Sequence, residues 1–203
     1  MPTGYHVDRS NTLEPGDTLV LENEPQINPE KIVLPQPSEE NAIQSYYPEG
    51  LSRHGARYVY MQLARNNNIK FEDNTTPMLG IYQIEDLETE EQEVANKKPT
   101  NAIYEWVFEF VRRSEFPDHP SRFQSFFGVE TEQEATAFQS DFDPDAQIVE
   151  VEYSVGVKAD MDLLSCQSFA DGLHQATTYW NGEPGSDDPT WEILMQPPVE
   201  VIG

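Results

Sequence analysis

Apolar and polar residues alternate with strand periodicity near the N-terminus of the chain. Tyr5 and Val7 fall on one side of the predicted strand, and His6 and Asp8 fall on the other. The same periodicity, together with β-branched and aromatic residues, predicts strands elsewhere. These further strands are Thr18–Leu21, the Phe-rich stretch 119–130, the stretch 146–155 and the C-terminal stretch 190–203.

Helical periodicity is strongest between Thr100 and Pro117. Apolar residues recur there at a spacing of three to four, which predicts one buried helix face. That face comprises Ile103, Trp106, Val107, Phe110 and Val111. Thr131 and Glu134 have the spacing of a capping box and predict the start of another helix. Further helical patterns cover 131–142, 168–182 and, more weakly, Ser52–Arg65.

Strands and helices follow one another without repeats or an evident boundary, so we predict a single α+β domain over 1–203 with three or four helices. Two stretches lack this periodicity. The segment 23–40 contains four prolines and few apolar residues, and the segment 85–98 is strongly acidic. We interpret both as loops or arms on the surface.

The charge balance is strongly acidic. The chain has 203 residues, with 12 Lys and Arg against 37 Asp and Glu, for a formal charge of −25. This charge disfavours nucleic acid and anionic membranes as partners. A surface rich in carboxylates and poor in Lys suits very high salt, which screens self-repulsion. We interpret the chain as a cytoplasmic protein of a halophilic archaeon, or a virion protein of a virus that infects one. The alternative is an ordinary acidic protein.

Several common sites are missing from the sequence. No Gly-rich phosphate or dinucleotide loop and no HExxH motif occurs, and the four His are scattered. The single cysteine, Cys166, excludes an intrachain disulfide or a thiolate cluster. We therefore expect no metal. No apolar run reaches membrane-spanning length, and no signal peptide opens the chain, so we also expect no membrane association.

Four short segments suggest a family. They are "YHVDR" near the N-terminus, "FPDHPSRFQSFF" in the middle, and "TTYWNG" and "WEILMQPPVEVI" near the C-terminus. Their combination resembles the ADP-ribosyltransferase superfamily, in particular an uncharacterised group of bacterial, archaeal and phage proteins. The resemblance extends over most of the chain. It implies a small, split, mostly antiparallel sheet around a cleft, with NAD as co-substrate.

The resemblance also implies roles for individual residues. Glu192 would be the catalytic carboxylate that stabilises positive charge on the ribose, as at other glycosidic centres. His6 would orient a ribose hydroxyl, although the early segment offers Arg9 as well. Ser121 or Ser125 would support Glu192 or the ribose. Guanidinium groups suit the pyrophosphate, and the candidates are Arg9, Arg53, Arg57 and Arg122. The candidates for stacking on nicotinamide are Tyr46, Tyr47, Tyr58 and Phe126.

The sequence also departs from the family pattern. Thr190 stands two residues before Glu192, where arginine-modifying members carry Glu or Gln, and the middle segment lacks Ser-Thr-Ser. The acceptor therefore stays open between a protein side chain, a nucleic acid and a small molecule. The alternative function is a non-catalytic structural or interaction protein, such as a component of a halophilic virus particle. It would bind protein partners or other copies of itself, and Glu192 would then be a solvated charge on an edge strand.

Overall fold

A computed structural model of the chain describes residues 1–22, 43–56, 58–59, 101–166 and 168–203. The predicted arms at 23–40 and 85–98 and the predicted ligand Arg57 lie outside these described residues.

The described part of the chain contains seven strands, three longer α-helices and some shorter helical stretches. The strands are β1 (Thr3–Asp8), β2 (Thr18–Leu19), β3 (Phe126–Gly128), β4 (Gln147–Tyr153), β5 (Gly156–Asp160), β6 (Trp191–Met195) and β7 (Val199–Val201). The helices are α1 (Asn101–Glu115), α2 (Glu132–Phe142) and α3 (Phe169–Trp180), with a 3₁₀ turn at Met161–Leu163. Residues 43–46, 53–56 and 58–59 are also helical.

The strands form two small sheets, and every strand pair in the described residues is antiparallel. One sheet has the order β1-β4-β7-β2, and the other has the order β3-β6-β5. The two sheets meet where Tyr5 and Val129 exchange backbone hydrogen bonds of 2.9 Å in each direction. The predicted α+β class, with a split antiparallel sheet, is confirmed.

Glycines allow this close approach of the two sheets. A Cβ atom on Gly4 would lie 2.9 Å from the carbonyl oxygen of Val129, and one on Gly128 would lie 2.6 Å from that of Tyr5. Both distances are shorter than a carbon–oxygen contact, so any side chain at either position would force the two backbones apart.

The helix starts and the long strand follow the sequence predictions, whereas two other predictions are wrong. Thr131 and Glu134 form the expected capping box of α2. Phe110, predicted to be buried, is 61% exposed, because the buried face of α1 centres on Phe108 and Val111. The predicted strand 119–130 is reduced to Phe126–Gly128, since Gln124 N donates to Ser121 O at 2.9 Å and closes a turn.

Strand β6 is buried on both faces. Ile193 and Met195 pack into the apolar core between the two sheets, while Leu194 packs on the other face against α1 and α3. Glu192 shares the face of Leu194, because alternate residues of a strand point the same way. The strand is also central in its sheet. The alternative interpretation of Glu192 as an edge-strand charge is therefore wrong.

The helical residues at 53–56 and 58–59 dock directly on the turn before β3. Ser52 donates from both its backbone nitrogen and its hydroxyl to Phe123 O, at 3.0 and 3.2 Å. Gly55 permits this contact, since a Cβ atom there would lie 1.9 Å from Phe123 O. The docking places the ring of His54 against Phe127, the central residue of β3, and the ring of Tyr58 against His54.

Asp8 anchors the C-terminal end of β1. Its carboxylate accepts hydrogen bonds from Ser10 N at 2.9 Å, Ser10 Oγ at 2.5 Å, Thr12 N at 2.8 Å and Leu13 N at 3.1 Å. Burial opposes ionisation, but these donors outweigh it and lower the pKa of Asp8 below 3.8. The anchored loop holds the strand that carries His6.

Asp8→Asn is expected to destabilise the fold at neutral pH by about 1–3 kcal/mol, because it replaces the charged acceptor of this loop. The folded-state pKa is depressed, so the carboxylate stabilises the fold above the unfolded-state pKa of about 3.9. That contribution is lost as the pH falls through the lower folded-state value. Urea denaturation at neutral and acidic pH measures both effects, with the exposed Asp141→Asn as control. An equal loss of stability at both pH values would contradict the prediction.

Candidate functional site

Glu192 lies on the face of the three-stranded sheet that is covered by helices. It is 5% exposed and stands opposite Ala159 of β5. Ala159 contributes only a methyl group to this face, so the space beside Glu192 is filled from other elements. A carboxylate in such a place requires donors, because burying an unpaired charge is costly.

Arg122, from the turn before β3, supplies the charge that Glu192 needs. Its Nη1 donates to Glu192 Oε1 at 2.5 Å and also to the hydroxyl of Tyr179. Its Nε and Nη2 donate to the two oxygens of Glu105, at 2.7 and 3.0 Å. Tyr179 in turn donates to Glu192 Oε1 at 2.6 Å. Thus one guanidinium joins helix α1, helix α3 and strand β6.

The two oxygens of Glu192 are in different situations. Oε1 accepts from both Arg122 and Tyr179. Oε2 has no hydrogen-bond partner among the described residues, and the side chain keeps 7% exposure. One oxygen is therefore fixed by the protein, while the other has capacity for an outside group.

Burial raises the pKa of Glu105, although the guanidinium of Arg122 acts in the opposite direction. Burial also lowers the pKa of Arg122 in principle, but the charges of Glu105 and Glu192 outweigh it and raise that pKa. The pKa of Tyr179 is raised by burial as well, so its hydroxyl stays protonated and donates. The cluster therefore combines a permanent cation with two carboxyl groups.

His6 approaches the same region from β1. Its Nδ1 lies 2.6 Å from Phe127 O. A carbonyl oxygen only accepts, so Nδ1 carries the proton and Nε2 is the acceptor in the neutral ring. Burial lowers the pKa of His6, and the contacts with Phe127 and Asp8 oppose this shift without cancelling it. Nε2 has no hydrogen-bond partner in the described part of the chain.

Phe127 connects His6 to the Glu192 cluster. The guanidinium carbon of Arg122 lies 4.8 Å from the centre of the Phe127 ring, and the ring of His54 lies 4.6 Å from it. Phe127 pairs with Leu194, so its side chain is on the face that carries Glu192. These contacts define the junction site, which comprises His6, Glu105, Arg122, Phe127, Tyr179 and Glu192.

The two predicted serines do not contact Glu192. Ser121 Oγ donates to Glu109 Oε2 at 2.8 Å, and Ser125 Oγ donates to Ser121 O at 2.7 Å. The turn that includes Arg122 is the cause, because it sends Ser121 towards Glu109 and Arg122 towards Glu192. The predicted support of Glu192 comes from Arg122 and Tyr179 instead.

The predicted arginines are also placed differently from expectation. Arg122 is 3% exposed and committed to two carboxylates, so it is not the phosphate ligand that the resemblance implied. Arg9 and Arg53 are exposed, and neither forms a hydrogen bond or ion pair with another described residue. Arg53 precedes His54 in the sequence, and the ring of His54 contacts Phe127. Arg53 is therefore the predicted arginine that is adjacent in sequence to a residue in contact with Phe127.

Of the four aromatic candidates, Tyr58 comes nearest to the junction site, which it reaches through His54. The rings of Tyr58 and His54 are 4.5 Å apart, and the ring of His54 lies 4.6 Å from that of Phe127. Tyr46 and Tyr47 pack instead beneath Arg113, and Phe126 is buried in the core between the sheets.

The sequence patterns did not reveal Glu105 and Tyr179 as site residues, although Glu105 left a signal. It stands next to Tyr104 and Trp106 in the stretch 103–111, which is apolar except for Glu105 itself and Glu109, one turn later. Both carboxylates are at most 2% exposed, and each has its own arginine. Two acidic residues on a buried helical face indicate buried cations that the apolar pattern alone does not reveal.

A cavity of about 270 Å³ occurs elsewhere among the described residues. Of the predicted site residues it includes Ser121, and neither His6 nor Glu192 lines it. In the same ranges, no three His, Cys, Asp or Glu side chains are grouped to hold a metal ion. Each helix that the structure describes is too short or too polar to span a bilayer.

Comparison with known proteins identifies a family whose function is unknown. No curated protein matches the chain. Residues 4–203 match a family described as a protein of unknown function (DUF2441). This match includes both sheets, all three helices and every residue of the junction site. The chain therefore belongs to the DUF2441 family.

Proposed function

We propose that the protein is an NAD-using, ADP-ribosyltransferase-like enzyme and that the junction site holds the nicotinamide ribose. The observation that supports this most directly is a pair of unpartnered acceptors, Glu192 Oε2 and His6 Nε2. Strands from different sheets carry them, and Arg122 and Phe127 connect them. The acceptor of the ADP-ribose stays open, as the sequence left it.

The donor and acceptor set suits a ribose. Ribose hydroxyl groups donate, and both free atoms of the site accept. Neutral His6 accepts through Nε2 because Phe127 O fixes its proton on Nδ1. The half-buried rings of Phe127 and Tyr58 offer apolar surface for a planar nicotinamide. Exposed Arg53 is the candidate for the pyrophosphate, since its guanidinium is not committed within the described residues.

The chemistry requires a fixed negative charge. In ADP-ribosyl transfer the bond between the ribose carbon and the nicotinamide nitrogen breaks, and its electron pair leaves with nicotinamide. The acceptor atom forms the new bond to that carbon and gives its proton to solvent or base. Glu192 Oε2 would stabilise the positive charge that develops on the sugar. Because Arg122 and Tyr179 hold Oε1, the carboxylate needs little reorganisation to do so.

The function is tested by nicotinamide release from NAD with the purified full-length chain. The assay should be run in molar salt as well as in dilute buffer, because we propose a halophilic origin from the charge of −25. We expect release that depends on the protein, and faster release when the correct acceptor is present. A folded protein that neither binds NAD nor releases nicotinamide in either buffer overturns the proposal.

Two substitutions of His6 separate the role of Nδ1 from that of Nε2. In His6→Asn the amide nitrogen can keep the hydrogen bond to Phe127 O, but the acceptor at the Nε2 position is lost. In His6→Gln the amide reaches the Nε2 position. We expect kcat/KM for NAD to fall about tenfold in the Asn variant, the value of one hydrogen bond, and less in the Gln variant. Equal losses would argue against a contact between Nε2 and substrate.

One observation favours the alternative function. Arg122 donates four hydrogen bonds to buried groups of the protein, as it would in a purely structural ion cluster. The protein would then be a non-catalytic interaction or virion component, and exposed aromatic residues would serve its contacts. These are Phe110, Phe142 and Phe169, each at least 58% exposed. A stable oligomer in molar salt that dissociates on Phe169→Ser, without any NAD binding, would support this alternative.

A further inference from the structure

Glu105 determines how Arg122 meets Glu192. It accepts hydrogen bonds from Nε and Nη2 of the guanidinium, while Nη1 donates to Glu192 and Tyr179. This bidentate contact fixes the plane of the guanidinium. It also adds a second negative charge beside the single positive one. Glu105 is buried from solvent, with 1% of the residue exposed.

The charge count depends on Glu105. With both carboxylates ionised, Glu105, Arg122 and Glu192 sum to −1, whereas without the charge of Glu105 the sum is zero. A net charge matters at this depth, because buried charges are weakly screened. The nicotinamide ring of NAD is a cation, and that of NADH is neutral. The charge on the cluster therefore acts on NAD and not on the ring of NADH.

We propose that Glu105 sets the net charge of the junction site and that its protonation makes the use of NAD dependent on pH. This inference rests on the proposed function of the site. Glu105 faces Arg122, Tyr179 and Glu192 across the helix–sheet interface, with Tyr104 and Glu109 on its own helix. It is a positioning residue, because it reaches the substrate only through Arg122.

The surroundings of Glu105 raise its pKa, so it takes up a proton more readily than an ordinary glutamate. Burial raises its pKa, and the negative charges of Glu192 and Glu109 add to the effect. The two tyrosines stay neutral, because burial raises the pKa of each. Glu109 is different, since hydrogen bonds from Arg112, Arg113 and Ser121 outweigh its burial and lower its pKa.

The test compares Glu105→Gln with Glu109→Gln, a buried carboxylate one turn further along the same helix. The measurements are kcat/KM for NAD and the inhibition constant of NADH, from about pH 4 to about pH 8. In the native protein we expect kcat/KM for NAD to fall about tenfold as the pH decreases, with little change for NADH. In Glu105→Gln the value should be low throughout, without the acid limb of the native protein.

The Glu109→Gln variant should keep the acid limb of the profile, displaced only to lower pH, because the charge of Glu109 helps to raise the pKa of Glu105. Identical profiles for the native protein and Glu105→Gln would overturn the assignment. If Glu105→Gln does not fold, the native protein still decides, because a parallel fall for NAD and NADH would overturn it. Absence of nicotinamide release from the native protein overturns the proposed function itself. Release with a profile that Glu105→Gln leaves unchanged overturns only the role of Glu105.

Discussion

Glu192→Gln is expected to reduce kcat for nicotinamide release by about 10²–10³-fold, the range for loss of one preorganised charge-stabilising group. The side-chain amide has nearly the same shape as the carboxylate and still accepts from Arg122 through its oxygen. It carries no charge, however, so it cannot offset the positive charge on the sugar. We expect KM for NAD to change much less than kcat, because the lost interaction is strongest in the transition state.

The matched control for this variant is Glu200→Gln, an exposed carboxylate on β7. It removes the same charge from the chain without touching the junction site and should leave kcat within the error of the assay. Urea denaturation of both variants separates catalysis from stability. A Glu192→Gln protein that is folded and fully active would rule out the proposed role of this carboxylate.

Arg122→Met should destabilise the protein by about 3–5 kcal/mol, the range for a buried ion pair that loses one partner. Methionine fills part of the volume but leaves Glu105 and Glu192 buried without a cation. Two carboxylates with no counter-charge must then take up protons or draw in water. The loss should therefore be greatest at neutral pH and smaller in acid, where less negative charge is left without a partner. Urea midpoints across this range measure it.

Two comparisons make the Arg122 prediction specific. Arg53→Met removes an exposed arginine and should change stability by no more than about 0.5 kcal/mol. The triple variant Glu105→Leu, Arg122→Met, Glu192→Leu removes the buried charges together and should recover most of the stability. It should still release no nicotinamide. If Arg122→Met were as mild as Arg53→Met, the ion cluster would not contribute to the fold as the geometry requires.

Local sequence patterns predicted most of the helices and strands because the interactions behind these patterns join residues that are close in sequence. The capping box at Thr131 needs only Glu134, three residues away, and the alternation in β4 needs only its own residues. The predicted burial of Phe110 failed for a different reason. Periodicity counts apolar side chains, whereas the buried face of α1 also contains Glu105 and Glu109, whose cations come from distant parts of the chain or from the same helix.

The candidate site was predictable only in part. His6 and Glu192 were predicted as site residues from short segments on strands, and the structure connects the two through Phe127 and Arg122. The role of Arg122 was not predictable, since its contacts join residues 17 and 70 positions away. The predicted contacts of Ser121 and Ser125 with Glu192 were wrong because the residues before β3 form a turn and not a strand. Such long-range polar pairing leaves no periodic trace in a single sequence.

The seam between the two sheets has a consequence for how the family can vary. His6 belongs to one sheet and Glu192 to the other, and the seam is held by reciprocal bonds between Tyr5 and Val129. A methyl group on Gly4 or Gly128 would act as a wedge there and tilt one half of the molecule against the other. The distance between the histidine and the carboxylate would then change although neither had been altered. Two glycines outside the junction site therefore set the spacing between His6 and Glu192.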